Sequence, residues 1–134
     1  MNKLTFEKTT LNTLSFVLKV DGKAMIDTKG IDEDEIPAWL CENGIPSFPP
    51  DDTASDRVLV AVCGCGEYGC GNTNAKIERK LGKVRLFDFD GVRAPIGSFE
   101  FVEDEFDAVS REIANLAKKQ MAVWDVEFKK DKND

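Results

Sequence analysis

An alternating apolar run that ends in Asp-Gly constrains the fold of this chain more than any other feature. Every second residue from Leu14 to Val20 has a large apolar side chain, which is the pattern of a half-buried strand. Asp21-Gly22 follows, and residues 23 to 27 again carry apolar side chains at alternate positions. Asp-Gly suits a two-residue hairpin turn because both turn residues adopt positive φ. The sequence therefore predicts a β-hairpin that turns at Asp21-Gly22.

Three later segments predict an antiparallel meander. Residues 58 to 62 are apolar at every position, which is typical of a central strand buried on both faces. Residues 72 to 79 alternate with period two, Leu81-Gly82 predicts a turn, and residues 84 to 89 predict the next strand. A short alternating run at Leu4 and Phe6 adds one more strand.

The last third of the chain predicts a helix. Phe106, Val109, Ile113 and Leu116 recur at helical spacing, and three acids at residues 103 to 105 suit the positive end of the helix dipole. Residues 124 to 128 are open to two interpretations, because they continue the stripe but also alternate like a strand. The predicted class is α+β: a mostly antiparallel sheet of five or six strands covered by a C-terminal helix. We expect one domain over residues 1–128 and a polar tail over 129–134.

The acidic residues are concentrated in one stretch. Of 25 acids in the chain, eight lie between Lys29 and Arg57, where there is no base, and the rest of the chain holds 17 acids against 18 bases. Phosphate binding needs clustered Lys and Arg, so nucleic acid is disfavoured as a ligand and a basic protein partner is favoured. A solubilising surface is the alternative. The predicted partner-binding residues are Asp32, Glu33, Asp34, Glu35, Asp51 and Asp52.

This acid-only stretch lies in a long excursion over residues 30 to 57. Pro37 can begin a short helix over Ala38–Asn43, and Gly44 can end it. Residues 45 to 50 hold three prolines, which rule out regular structure there. Long loops within compact domains tend to be functional.

A glycine motif at residues 64–69 suggests nucleotide binding. Gly64-Cys65-Gly66-Glu67-Tyr68-Gly69 spells GxGxxG after an apolar strand, and Asp88 ends another strand about 20 residues on. The stretch superficially resembles adenylating enzymes of the ubiquitin-activating type. In that fingerprint a helix begins at the third glycine and its N-terminus holds phosphate. Residues 71 to 74 are poor helix formers and residues 72 to 79 alternate with period two, so we expect a strand.

The same residues fit a second pattern. Cys63-Gly-Cys65-Gly-x-x-Gly69-Cys70-Gly71, followed by an alternating strand, a glycine turn and VRLFDF, resembles a group of small bacterial proteins with a CxCGxxGCG loop and no settled function. The resemblance covers residues 58 to 90. It implies a hairpin strand after the glycines, and it implies no chemistry.

The four cysteines are compatible with a metal site. Cys63 and Cys65 share one side of a strand, Cys70 can return across the loop, and Cys41 could supply a fourth thiolate. The chain has no histidine, and this spacing differs from the usual CxxC pairs of zinc sites. Free thiols are therefore the favoured interpretation, and no cofactor is predicted.

Catalysis has little support, because the commonest general base, histidine, is missing. No stretch approaches the ~20 apolar residues of a membrane helix, and the first ten residues lack an apolar signal core, so we expect a cytoplasmic protein. In size and charge the chain is similar to the immunity proteins that protect bacteria against their own nuclease toxins, including those of contact-dependent growth inhibition. The sequence thus favours a non-enzymatic binding module that neutralises a basic nuclease-type toxin. Two alternatives stay open: a metal- or thiol-dependent protein using Cys63, Cys65 and Cys70, and a nucleotide-binding fragment.

Overall fold

The computed structural model describes residues 1–9, 14–26, 35–45, 57–62, 72–91 and 94–132. Along these residues the chain forms eight strands, one 3-10 turn and one helix. They are β1 (Leu4–Thr9), β2 (Ser15–Val20), β3 (Lys23–Ala24), β4 (Ile36–Pro37), the 3-10 turn Ala38–Leu40, β5 (Arg57–Val62), β6 (Asn72–Lys80), β7 (Lys83–Asp90), β8 (Phe99–Val102) and α1 (Glu103–Lys132). The predicted α+β class is confirmed. The strands form two four-stranded antiparallel sheets, however, and not one sheet of five or six strands.

The first sheet is built around β2. β1 pairs with β2 along its whole length, and the two-residue strands β3 and β4 share the opposite edge of β2. The predicted hairpin is confirmed, since the chain turns between β2 and β3 with φ of 53° at Asp21 and 83° at Gly22. Asp21 also accepts a hydrogen bond of 2.8 Å from the Asn2 side chain, and this bond is the main reason that the pKa of Asp21 is lowered.

The second sheet is the predicted meander, in the order β5-β6-β7-β8. The predicted pairing of residues 72 to 79 with 84 to 89 is confirmed, and the hairpin turns at Leu81 and Gly82, with φ of 54° and 75°. Leucine rarely adopts a positive φ. Here it does so with 89% of its surface exposed, because the two-residue turn requires that backbone shape.

β5 is buried on both faces, as its sequence predicts, with every residue from Val58 to Val62 at most 4% exposed. Its place in the sheet differs from the prediction of a central strand, because β5 is the first strand of the meander. Among the described residues, its outer edge pairs with one residue, Glu35, through an isolated bridge to Val62.

Backbone hydrogen bonds join the two sheets at two corners. At the first corner, Glu35 and Val62 exchange N–H···O bonds of 3.0 and 2.9 Å. At the second, the Asn2 N–H donates to the Glu100 carbonyl at 2.8 Å, and the Glu100 N–H donates to Asn2 Oδ1 at 2.9 Å. Both sheets and α1 contribute side chains to one buried apolar cluster.

Helix α1 packs its predicted stripe against this cluster. Phe106, Ile113 and Ala117 are buried, which confirms the helical periodicity. The helix begins at the tip of the β6–β7 hairpin, where the Glu103 N–H donates to the Gly82 carbonyl at 2.9 Å.

The helix is longer than predicted and runs to Lys132. Of the two interpretations of residues 124 to 128, the helix is therefore confirmed and the strand is wrong, and the helix continues through residues 129 to 132. Lys, Gln, Met and Ala are frequent from residue 117 onward, and their helix propensity outweighs the alternation of the aromatic residues. No helix in the described ranges is both long and apolar enough to cross a bilayer.

Candidate partner-binding surface

The predicted partner-binding acids divide into two groups. Glu35 lies within the described residues, and the other five, Asp32, Glu33, Asp34, Asp51 and Asp52, lie outside them. The Glu35 carboxylate is half-buried and accepts a hydrogen bond from the Thr9 hydroxyl, while its backbone forms the first corner with Val62. Glu35 therefore helps to fix the fold where the acid-only stretch meets it, and its contact with a partner stays a prediction.

Residues 35 to 45 form what we call the anchored segment. The Ala38 N–H donates to the Leu14 carbonyl, and two successive turns are closed by bonds from Cys41 to Ala38 and from Gly44 to Cys41, each of 2.9 Å. The helix predicted over Ala38–Asn43 is thus a 3-10 turn at Ala38–Leu40 followed by a second tight turn. So few residues separate β4 from the turn at Gly44 that an α-helix has no room to become established.

Gly44 lies directly against α1. The Ser110 hydroxyl accepts a hydrogen bond from the Ile45 N–H at 3.0 Å. A Cβ atom at Gly44 would lie 2.1 Å from Ser110 Oγ and 2.9 Å from the Ser110 carbonyl oxygen. The φ of Gly44 is also 92°, so both the backbone shape and the close approach require glycine.

The anchored segment buries most of its side chains and exposes three. Those buried are Ile36, Ala38, Leu40, Cys41 and Ile45. The exposed ones are Trp39, Glu42 and Asn43, and Trp39 is 48% exposed. Trp39 lies within the 3-10 turn, and Glu42 follows its C-cap residue, Cys41. The sequence did not reveal Trp39 as a surface residue, because within IPAWLC it reads as part of an apolar core run.

The rest of the described structure, β1–β3, β5–β8 and α1, forms what we call the framework, and five of its bases form ion pairs with its acids. Arg57 lies 2.9 Å from Asp90 and 3.4 Å from Asp88. The other ion pairs are Lys19–Glu7, Lys76–Asp88, Arg79–Glu103, Arg79–Asp107 and Lys83–Glu100. Such accessible pairs contribute about 0–1 kcal/mol each. Their local cancellation leaves the negative excess with the acid-only stretch.

Arg79 links the second sheet to the first turn of α1. Its guanidinium lies 2.9 Å from Asp107 and 3.2 Å from Glu103, and 5.6 Å from the centre of the Phe106 ring. The hydrogen bond to Asp107 is the main reason that the pKa of Arg79 is raised. Its charge therefore serves the packing of β6 on the helix.

Of the four cysteines, Cys41 lies within the described residues. Cys63, Cys65 and Cys70 lie outside them. Cys41 is fully buried, and burial raises the pKa of its thiol to about 12. A metal ligand or nucleophile must be a thiolate, so Cys41 is poorly suited to either role near neutral pH. Within the described part of the chain, no group of three or more His, Cys, Asp or Glu residues could hold a metal ion.

The dinucleotide-binding interpretation depends on a helix after the glycine motif, and the described residues form a strand there. Residues 72 to 80 form strand β6, so no helix begins there to hold a phosphate. Asp88, the candidate ribose ligand, has a φ of 48° and contacts Lys76 on the adjacent strand β6 and Arg57 on β5, two strands away. Its carboxylate is already used within the sheet.

No family model, no curated protein and no solved structure matches the chain. A functional proposal therefore has to come from the charges and surfaces of the chain itself.

Proposed function

We propose that this protein is a cytoplasmic, non-enzymatic binding module that neutralises a basic protein partner, and that it acts as a bacterial immunity protein against a nuclease-type toxin. The observation that carries the proposal is the separation of charge along the chain. Eight acids and no base lie between Lys29 and Arg57, while the rest of the chain is nearly balanced.

The arrangement of the framework supports this proposal. Several of its bases pair with acids of the framework itself, as in the contacts of Arg57 and Arg79. The acid-only stretch has no bases of its own to offset its charge. A basic nuclease surface offers the complementary charge, and an acidic protein bound there would exclude the phosphates of the nucleic acid.

The first test is co-purification of the chain with the protein encoded next to it, followed by association kinetics. Reversing Glu33 and Asp34 to Lys removes much of the steering field, so association should slow about tenfold or more at low salt. The difference should shrink as salt is raised, because counterions screen exposed charges. Folding stability should change by less than about 0.5 kcal/mol.

A matched control reverses Glu78 and Glu112 to Lys. Both residues are exposed on the framework, and the double reversal changes the net charge by the same amount. It should slow association much less than reversal of Glu33 and Asp34. Equal association rates for wild type and the Glu33/Asp34 variant at every salt concentration would show that the charge separation does not serve binding.

The metal- or thiol-dependent alternative has a direct test of its own. Purified protein should carry less than about one equivalent of zinc, because zinc sites use other spacings and commonly use histidine. Near-stoichiometric zinc that is lost in a Cys65→Ser variant would favour that alternative over a binding module.

A further inference from the structure

We infer that two copies of this chain associate through helix α1, with the two α1 helices antiparallel across a two-fold axis at Leu116. The contact surface is one side of the helix, which we call the α1 stripe: Val109, Glu112, Leu116, Lys119 and Val123. The inference goes beyond the proposed function, which assigns the basic partner to the acid-only stretch and leaves this surface without a role.

Two adjoining hollows lie between helix α1 and strand β1. All five residues of the α1 stripe line one or the other of them. The remaining lining residues are Thr5, Phe6, Lys8, Leu14 and Gln120. Lys8 lines both hollows, so together they form one groove along the helix. The α1 stripe therefore borders open space along its whole length.

The spacing of the five residues places them on one side of the helix. At 3.6 residues per turn, their directions fall within an arc of about 80°. Val123 is 49% exposed, and Glu112 and Lys119 are exposed as well. Val109 and Leu116 are partly buried against the core. Apolar residues that repeat every seven positions, with charged residues between them, are typical of a helix that packs against another helix.

The order of residues along the α1 stripe is complementary to itself when it is reversed. Val109 and Val123 each lie about 10.5 Å from Leu116 along the helix axis, in opposite directions. Glu112 lies about 6 Å before Leu116, and Lys119 lies about 4.5 Å after it. An antiparallel second copy therefore places its Val123 opposite Val109 and its Lys119 beside Glu112. Two-fold symmetry repeats both contacts, whereas a parallel copy would oppose like charges.

The charges of the α1 stripe favour a second copy over a basic partner. None of the ion pairs among the described residues includes Glu112 or Lys119. The two residues are about 10.5 Å apart along the axis of their own helix, which is too far for a direct pair. Lys8 adds a second base to the groove, so a basic protein is repelled there. A second copy supplies a base for each Glu112 and an acid for each Lys119.

The α1 stripe is also separate from the anchored segment. Ser110 contacts Gly44 on the far side of the helix, in a direction about 160° from that of Glu112. A dimer formed through the stripe therefore leaves the contact of α1 with the anchored segment unchanged.

Sedimentation equilibrium of the full chain over a concentration series tests the inference. The molar mass of wild type should rise toward twice that of the monomer as the protein concentration increases. Glu112→Lys and Lys119→Glu should each raise the dissociation constant of the dimer about tenfold at low salt, because each creates two like-charge pairs. The double variant Glu112→Lys/Lys119→Glu should restore the wild-type dissociation constant, since the exchanged charges are again complementary.

Arg111→Glu is the matched control for Lys119→Glu. It makes the same change of charge at an exposed position of the same helix, outside the α1 stripe, and should leave the dissociation constant unchanged. Val123→Glu should raise the dissociation constant about tenfold, because it places a carboxylate against Val109 of the second copy. All these positions are exposed, so circular dichroism should show the wild-type helix content in each variant.

A wild-type protein that stays monomeric at every concentration would overturn the inference. A dimer with the same dissociation constant in wild type, Glu112→Lys, Lys119→Glu and Val123→Glu would overturn it too, because its interface would lie elsewhere. Single charge reversals that weaken the dimer without rescue in the double variant would contradict the antiparallel pairing.

The failure of this inference and the failure of the proposed function are distinguishable. Reversal of Glu33 and Asp34 leaves the α1 stripe intact, so this variant should still dimerise. The Glu78/Glu112 reversal should be monomeric and should still associate with the basic partner at a rate close to that of wild type.

Discussion

The framework and the anchored segment are held in place by different kinds of interaction. In the framework, neighbouring strands and α1 are connected by long ladders and by ion pairs such as Arg57–Asp90. The anchored segment has a two-residue strand, a few backbone bonds and one close glycine contact. The framework therefore has many interactions, each of which supplies a small part of its stability, and the segment has few, each of which supplies a larger part.

The difference also separates the side chains that hold each region. Main-chain bonds and the buried side chains Ile36, Leu40 and Cys41 hold the anchored segment. In the framework, charged side chains such as Arg79 serve the packing of the fold. Substitutions should therefore destabilise the protein most in the anchored segment and least at framework turns.

The largest effect should come from Gly44→Ala. The added Cβ would meet Ser110 Oγ at 2.1 Å, and the φ of 92° is unfavourable for alanine, so we expect a loss of about 3 kcal/mol in a urea titration. Gly22→Ala is the matched control, because its φ is similarly positive and nothing lies within 4 Å of the added atom. It should lose only about 1 kcal/mol. Equal losses would show that the contact with Ser110 does not fix the segment.

Cys41 should make the free energy of unfolding depend on pH in the alkaline range. Burial raises the pKa of its thiol from 9.0 to about 12, so the folded state holds the proton more tightly than the unfolded chain does. This contribution is complete below about pH 9 and is lost as pH rises toward 12. Between pH 9 and 10, wild type should lose roughly 1 kcal/mol more than Cys41→Ala, which lacks the thiol. Parallel pH profiles of the two proteins would contradict the burial of this thiol.

In the framework, Arg79→Met should lower stability by about 1 kcal/mol. The change removes accessible ion pairs with Glu103 and Asp107 and the stacking over Phe106, and each is a modest contribution. The loss should diminish in high salt, as measured by thermal unfolding at two ionic strengths. Arg111→Met, at an exposed position on the same helix, should change stability by less than about 0.5 kcal/mol.

The smallest expected effect is an increase in folding stability. Leu81→Asn replaces the first residue of the β6–β7 turn by asparagine, which tolerates the φ of 54°. The exposed leucine has little packing to lose. We expect stabilisation of about 0.5 kcal/mol. At the equivalent turn, Asp21→Leu should destabilise the β2–β3 hairpin, because it removes the bond to Asn2 as well as a suitable turn residue.

Local patterns predicted the local elements. The turns at Asp21-Gly22 and Leu81-Gly82 and the helix from Glu103 follow from residues adjacent in sequence, so the sequence was sufficient for them. The way in which the two sheets are joined was not predictable, because it depends on the pairing of Glu35 with Val62 and of Asn2 with Glu100. A pairing through one residue produces no repeating pattern in the sequence.

The candidate surface was only partly predictable for the same reason. The acid-only stretch is visible in the sequence, because charge can be counted along a chain. The exposure of Trp39 depends on the turns that close at Cys41 and Gly44. The structural use of Glu35 depends on its contact with Thr9, 26 residues earlier.

The corner between Asn2 and Glu100 has a consequence for the protein while it is being synthesised. The two residues are 98 positions apart, and a ribosome adds about 5–20 residues each second, so Asn2 waits roughly 5–20 s for its partner to be made. During that interval the first sheet lacks β8 and α1, which share its buried apolar cluster, so its apolar side chains stay exposed, and such surface is prone to aggregation. Chaperone demand should therefore be greatest before β8 emerges, and slower translation of the region between the two sheets should increase aggregation of newly made protein.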